Sequence, residues 1–291
     1  MEQSIQNLFN STVLRLKAIY PDNESRAMAD RMFEHYFNLT PVQRVISHSK
    51  NANVTEYPEF EEAIVNLLNN VPLQYVLGKA YFMDLELDVN PSVLIPRPET
   101  EELISLILQE NPSGKLHAGF KILDMGTGSG CIAIALKHYL PASDVSAIDI
   151  SDAALRIAQV NAVKNKATVT FIQADILNSS SLDSFSEFGL IVSNPPYVTH
   201  GEKQFIQSNV LDYEPHIALF VPDDDPLIFY RSIIKFSLTH LSPEGSLWFE
   251  INEMFGEALR DIALGQGFAE VNIIFDIRGK RRFLQCLRKI H

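Results

Sequence analysis

The sequence predicts an α/β protein. Its core is a doubly wound, mostly parallel seven-stranded sheet, preceded by a small N-terminal α-helical bundle and a connecting β-hairpin. Two observations carry this. From Lys121 onward, short apolar runs alternate with stretches of helical periodicity, as expected for a sheet covered by helices. The residues before about Asn70 read as helical throughout. With 291 residues, 46% of them hydrophobic, the chain is long enough to bury more than one core.

In chain order, Ile5, Leu8, Phe9, Val13, Leu16 and Ile19 mark a first helix, broken at Pro21-Asp22-Asn23. Ala27, Met32, Phe33, Tyr36 and Phe37 mark a second, Val42 to Ile46 a short third, and Phe60, Ile64, Leu67 and Leu68 another after Pro58. Residues 1–74 are therefore expected to form the helical bundle. Residues 75–98 are the expected linker, with Phe82, Leu85, Leu87 and Val89 leading through Asn90-Pro91-Ser92 into Val93-Leu94-Ile95 as a β-hairpin. A capping residue and an acidic first turn then open a helix from Thr100 to Glu110. In the remaining domain, residues 99–291, strands are expected at Lys121–Met125, Val145–Ile150, Val169–Ile172, Leu190–Ser193, Ser246–Ile251, Val271–Phe275 and Phe283–Leu287. Helices are expected at Cys131–Tyr139, Ala153–Val163, Pro226–Leu241 and Met254–Leu264. The short Asp276–Arg282 connection makes the last two strands an antiparallel edge hairpin.

Charge narrows the function. The chain has 36 Asp and Glu against 24 Lys and Arg, a net charge of -12. Gripping a nucleic-acid backbone ordinarily takes a basic face, so the balance favours a protein or small-molecule partner. Cys131 and Cys286 are too few for a disulfide framework or a metal cluster and sit in apolar surroundings as small hydrophobes. His138, His200 and His216 lack metal-ligand spacing, so no metal is expected. The N-terminus shows neither a signal core nor a transit pattern, and no apolar run reaches membrane-span length. The expectation is a cytoplasmic protein.

The chemistry gathers at strand ends. The first strand of the α/β domain runs into Asp124-Met125-Gly126-Thr127-Gly128-Ser129-Gly130 and directly into a helix. Glycines there let a ligand approach the backbone, and the helix start offers free N–H groups. Alone, this pattern fits a dinucleotide loop or a plain strand–helix turn. Context adds to it: Asp149 closes the next strand 19 residues after Gly130, where ribose hydroxyls are bound, and Asp175 closes the third. Cys131 stands where a dehydrogenase would carry its third glycine. A ligand of adenine, ribose and a short charged tail fits better than a pyrophosphate, which points to S-adenosyl-L-methionine.

The fourth strand ends in Ile191-Val192-Ser193-Asn194-Pro195-Pro196-Tyr197. Two prolines fix the backbone and remove two N–H donors, leaving the Asn194 carboxamide, the Pro195 carbonyl and the Tyr197 ring displayed on a stiff ledge. A planar NH₂ group is a poor nucleophile because its lone pair is delocalised. The Asn194 and Pro195 oxygens can accept both of its hydrogens and aim its nitrogen, while Tyr197 packs on the flat group.

Asn194 to Tyr197 resembles the signature of amino-group methyltransferases of the class I fold. Pro72-Leu73-Gln74-Tyr75-Val76-Leu77-Gly78, Leu94-Ile95-Pro96-Arg97-Pro98-Glu99-Thr100-Glu101 and Tyr213-Glu214-Pro215-His216-Ile217-Ala218-Leu219 are similar to the bacterial release-factor glutamine N5-methyltransferases. The likeness runs from about Val71 to the C-terminus. It implies methylation of the glutamine in the Gly-Gly-Gln loop of class 1 peptide-chain release factors, with S-adenosyl-L-homocysteine as product. It implies that Gly126 to Gly130 (with Thr127 and Ser129), Asp149, Ile176 and Asn194 line the donor site, with Asp175 beside them. Asn194, Pro195, Pro196 and Tyr197 would hold the glutamine amide, and the helical module would bind the release factor, the enzyme acting as a monomer without nucleic acid. Two departures stand out. Val221-Pro222-Asp223-Asp224-Asp225-Pro226-Leu227 replaces a glycine-rich family segment, and Ile176 occupies a position often aromatic in relatives.

Other readings stay open at this level. The same ledge serves methylation of an exocyclic amino group of adenine or guanine in nucleic acid. A donor-binding regulatory module without catalysis would share the glycine turn. Glu250 either touches the site or caps the following helix. Arg97 either pins the hairpin to the catalytic domain or lines the site. The basic run Arg278-Gly279-Lys280-Arg281-Arg282 reads as an exposed turn or as a docking element.

Overall fold

The computed structural model describes residues 2–53, 57–111, 119–178, 182 and 185–288. It divides into two compact units, one of residues 1–78 with 207–213, the other of residues 79–206 with 214–291.

The first unit is mainly helical. A short strand β1 (Glu2–Ser4) pairs antiparallel with β2 (Asn51–Asn53), and the helices are α1 (Ile5–Leu16), α2 (Asp22–Phe37), α3 (Pro41–Ile46), α4 (Pro58–Leu68) and α5 (Leu73–Leu77). Their ends follow local rules. The Ser4 hydroxyl caps α1, Thr40 and Gln43 form a reciprocal capping box on α3, and Pro58 opens α4. Asn38 and Gly78, both left-handed, stop α2 and α5. Apolar positions at helical spacing meet in one core, where Phe33 is fully buried and packs edge-on against Phe9 and Phe60.

The second unit begins with a hairpin of β3 (Lys79–Phe82) and β4 (Leu85–Asp88), followed by α6 (Pro98–Glu110). Then come β5 (Lys121–Met125), α7 (Cys131–Tyr139), β6 (Asp144–Asp149), α8 (Asp152–Lys164), β7 (Val169–Gln173), β8 (Phe188–Ser193) and β9 (Val198–Thr199). The chain passes through α9 (Ser208–Tyr213), which belongs to the first unit, and returns to β10 (Phe220–Val221). The unit closes with α10 (Ile228–His240), β11 (Leu241–Glu250), α11 (Gly256–Gln266), β12 (Glu270–Phe275) and β13 (Arg281–Leu287).

Seven of these strands form one sheet in the order β12-β13-β11-β8-β5-β6-β7, parallel except for β13, which runs antiparallel to both neighbours. Both faces are buried, which explains the unbroken apolar runs. Ile122, Leu190, Val192 and Trp248 pack toward α6, α7 and the β3–β4 hairpin; Leu123, Ile191, Leu247 and Phe249 pack toward α10 and α11. The strand order reverses between β5 and β8, so the crevice at their carboxyl ends is where a ligand is expected.

Two expectations need correction. Val93 to Ile95 is not a hairpin strand; the hairpin turns earlier, at Met83-Asp84, with Met83 at a left-handed φ of 52°. Pro91 and Pro96 flank residues 93–95 and withhold ladder donors, whereas a methionine in a left-handed turn carries no sequence signal. Nor does Thr100 open α6. The helix starts at Pro98 without a side-chain cap, and the Thr100 hydroxyl turns into the protein interior instead.

Candidate active site

The glycine turn takes its shape from its backbone. Gly126, Gly128 and Gly130 have φ of 81°, 53° and 84°, a region that β-carbons oppose. The N–H groups of Gly126 and Thr127 donate to the carbonyl of Ile148, fastening the turn to β6. Asp124, fully buried at the end of β5, accepts from the Thr127 hydroxyl at 2.6 Å and the Ala133 N–H at 3.2 Å. Burial raises its carboxyl to about 7 against those two bonds. Asp149 receives the Gly128 N–H at 2.8 Å and the Ser151 N–H at 2.9 Å. Burial is also what holds the Asp149 carboxyl above the usual carboxylate range.

One cavity is lined by Gly126, Thr127, Gly128, Ser129, Asp149, Asp175, Ile176 and Asn194, with Pro196, Arg97, Thr100 and Phe229 around it. The glycine turn and the Asn194 ledge therefore share a single space. Gly130 packs against Ile134 and Ala158, and Pro195 and Tyr197 lie beside the cavity rather than on its wall. Asp175 uses one oxygen to hold the Leu177 N–H at 2.8 Å. A donor of adenine, ribose and charged tail fits these residues. A β-carbon at Gly128 would meet no protein atom within 4 Å, Ile176 and Phe229 offer apolar walls, and Asp149 keeps lone pairs for hydroxyls.

The ledge is anchored from behind. The Ser193 hydroxyl donates to the Met125 carbonyl at 2.6 Å, tying the end of β8 to the end of β5. The Asn194 amide Nδ2 donates to Glu250 Oε2 at 2.9 Å and to Thr100 Oγ1 at 3.2 Å. Thr100 Oγ1 donates to the same carboxylate oxygen at 2.6 Å, and the Tyr197 hydroxyl reaches Glu250 Oε1 at 3.2 Å. Burial raises the Glu250 carboxyl, and the bonds from Thr100 and Tyr197 pull it back. Glu250 thus grips the ledge from behind without lining the cavity; nothing local at Phe249-Glu250-Ile251-Asn252 reveals this, because its partners lie 56 and 150 residues away. Of the two readings of Arg97, the structure shows a cavity-lining side chain that also ties the segment before α6 to Glu214, not a pin on the hairpin. Arg97 pairs with buried Glu214 at 2.6 Å, whose other oxygen accepts the Ile95 N–H at 3.3 Å. Cys131 borders the cavity with its thiol pushed up to about 12, too high for a nucleophile at neutral pH. Among the described residues no cluster of metal-ligating side chains occurs, and no helix is long and apolar enough to cross a membrane.

Comparison with known proteins gives the family. The family pattern described as Methyltransferase small domain matches residues 102–213, and the PrmC N-terminal domain matches residues 7–78. The chain is 41% identical to the release factor glutamine methyltransferase of Flavobacterium psychrophilum, over 97% of this chain and 98% of that one. It is 42% identical to the protein of the same name from Bacteroides thetaiotaomicron, over 94% and 96%. The chain belongs to the release factor glutamine methyltransferase family. Solved structures speak to the fold alone. A methyltransferase from Pyrococcus furiosus matches 82% of this chain and 100% of its own with a TM-score of 0.53 at 17% identity. The T. thermophilus 16S rRNA methyltransferase RsmC, in complex with AdoMet and guanosine, matches 72% of this chain and 50% of its own with a TM-score of 0.51 at 15% identity. The seven-stranded, mostly parallel sheet with its flanking helices is that of a class I methyltransferase.

Proposed function

We propose that this chain methylates the side-chain amide nitrogen of the glutamine in the Gly-Gly-Gln loop of class 1 peptide-chain release factors. It would do so in the cytoplasm, as a monomer, without nucleic acid. The observation that carries the reading is the shared cavity, which Asn194 lines together with Gly126 to Ser129 and Asp149.

S-adenosyl-L-methionine, when bound, supplies an electrophilic methyl group on a sulfonium. Gly126, Gly128 and Asp149 would hold it, with Ile176 against its apolar part. The protein's task at the other end is to orient a weak nucleophile. Because Asn194 Nδ2 is engaged by Glu250 and Thr100, its Oδ1 is the atom left to accept an N–H of the substrate amide. The Pro195 carbonyl, beside the cavity, would serve as the second acceptor for an amide reaching the ledge, and no proline N–H competes there. Two acceptors hold the NH₂ group against rotation and favour the positive charge that grows on nitrogen. Once methylated, the nitrogen sheds one proton.

The test is incubation with labelled S-adenosyl-L-methionine and purified release factor, with the product mapped by mass spectrometry. One methyl on the Gly-Gly-Gln glutamine is expected. Asn194→Ala should lower turnover by about 10²–10³-fold. Label on RNA or DNA and none on that glutamine would overturn the substrate, and unchanged turnover in Asn194→Ala would overturn the role of the ledge.

A further inference from the structure

We propose that Glu250 is a positioning residue for methyl transfer: its buried carboxylate fixes which way the Asn194 carboxamide faces and polarises it toward the substrate. The inference rests on the function proposed above and deepens it.

The arrangement follows from strand register. β11 runs parallel to β8 with Phe249 opposite Ser193, so the next residues, Glu250 and Asn194, emerge side by side at the carboxyl edge. Thr100 arrives from the first turn of α6 and Tyr197 from the far end of the ledge. Glu250 is 1% exposed, and three donors converge on it: Thr100 and Asn194 on Oε2, Tyr197 on Oε1. An ionised carboxylate only accepts. It therefore admits the Asn194 amide in one sense, with Nδ2 toward Glu250 and Oδ1 toward the cavity. A flipped amide would set Oδ1 against the anion and present N–H groups to the substrate's own N–H groups, a nonproductive encounter. The negative charge behind Nδ2 also draws the amide dipole so that Oδ1 gains electron density where the substrate nitrogen becomes positive.

This orientation depends on charge, so it has a pH signature. The groups whose hydrogen bonds or charge bear on Glu250 are Glu99 and Thr100 on α6, Cys131 on α7, Tyr197 after β8, Tyr230 on α10 and Arg282 on β13. Burial moves the Glu250 carboxyl upward and Glu99 adds to this, while Thr100, Tyr197 and Arg282 oppose it. Cys131, Tyr197 and Tyr230 are all shifted up and stay neutral. A protonated Glu250 can donate to Oδ1 and tolerates the flipped amide. Turnover is thus lost as pH falls through the Glu250 pKa, which lies above that of an ordinary glutamate.

The experiment compares full-length wild type, Glu250→Gln, Thr100→Val and Thr100→Ser, with S-adenosyl-L-methionine and purified release factor as substrates. Thermal melts and calorimetric donor titration accompany the kinetics. In Glu250→Gln, which permits both amide senses, kcat should fall by about 10²-fold while donor Kd holds, and the acid limb of its kcat profile should vanish. Thr100→Val, which removes one hydroxyl from the cluster, should lose about tenfold in kcat, and Thr100→Ser should recover it. Wild-type kcat in Glu250→Gln, or a kcat loss matched by an equal loss of donor affinity, would overturn the positioning role. Should Glu250→Gln fail to fold, the Thr100 pair decides. A wild-type enzyme that leaves the release factor unlabelled sinks the functional reading instead, and the variants are then compared on whichever acceptor takes the label.

Discussion

Asp124 shows how a single residue ties stability to the site. Its carboxyl is fully buried, accepts from Thr127 and Ala133 through one oxygen, and is pushed to about 7. An unfolded chain would ionise it near ~3.9. The folded state therefore binds the proton more tightly, and this group's contribution is complete below about pH 4 and shrinks as pH rises toward 7. Thermal melts of wild type and Asp124→Asn should diverge over that window, the variant gaining relative to wild type as pH increases. A difference independent of pH would show that Asp124 titrates normally. The residue scale also shows what a sequence leaves hidden. Asp149 and Asn194 could be picked out because each stands at a strand end beside a recognisable segment, whereas Ile176 comes only with the family resemblance. For Glu250 the sequence leaves a site role and a helix cap equally open, and for Thr100 it offers only a helix start, since a carboxylate at a strand end and a threonine in an acidic first turn have ordinary local uses. Only their meeting across 150 residues of chain gives them another.

Among the elements, β8 is held by a close approach. Gly189 faces Phe120, and a β-carbon at this glycine would lie 2.2 Å from Phe120 Cε2. Gly189→Ala should cost about 1–3 kcal/mol, read as a lower urea midpoint at unchanged m-value. Adding Phe120→Leu should recover part of that loss, and a double variant no more stable than Gly189→Ala would place the strain elsewhere. Legibility varied among elements for physical reasons. β5 and α7 read true to their ends because a buried strand gives an unbroken apolar run and a glycine-rich turn marks the junction. The β3–β4 hairpin was misplaced because its turn relies on Met83 in a left-handed conformation rather than on glycine or asparagine. The pairing of β1 with β2 involves three residues on each side, too few for alternation to register.

At the scale of the molecule, the net charge of -12 bears on encounter. An acidic enzyme meeting a protein that works on the ribosome should associate faster at low ionic strength. Raising salt should lower kcat/KM for the release factor while kcat stays constant, and a flat kcat/KM would remove steering from the account. The sequence by itself determined the fold class, the alternation of the seven sheet strands with helices from Lys121 onward, the glycine turn and the proline-fixed ledge, because periodicity, glycine and proline act through neighbouring residues. Tertiary structure alone decided that the ledge and the turn open on one cavity, that Asn194 is gripped by Glu250 and Thr100, and that residues 207–213 leave the sheet unit for the helical one. Those contacts join positions far apart in the chain, and their partners are set by strand register and packing, which no local pattern encodes.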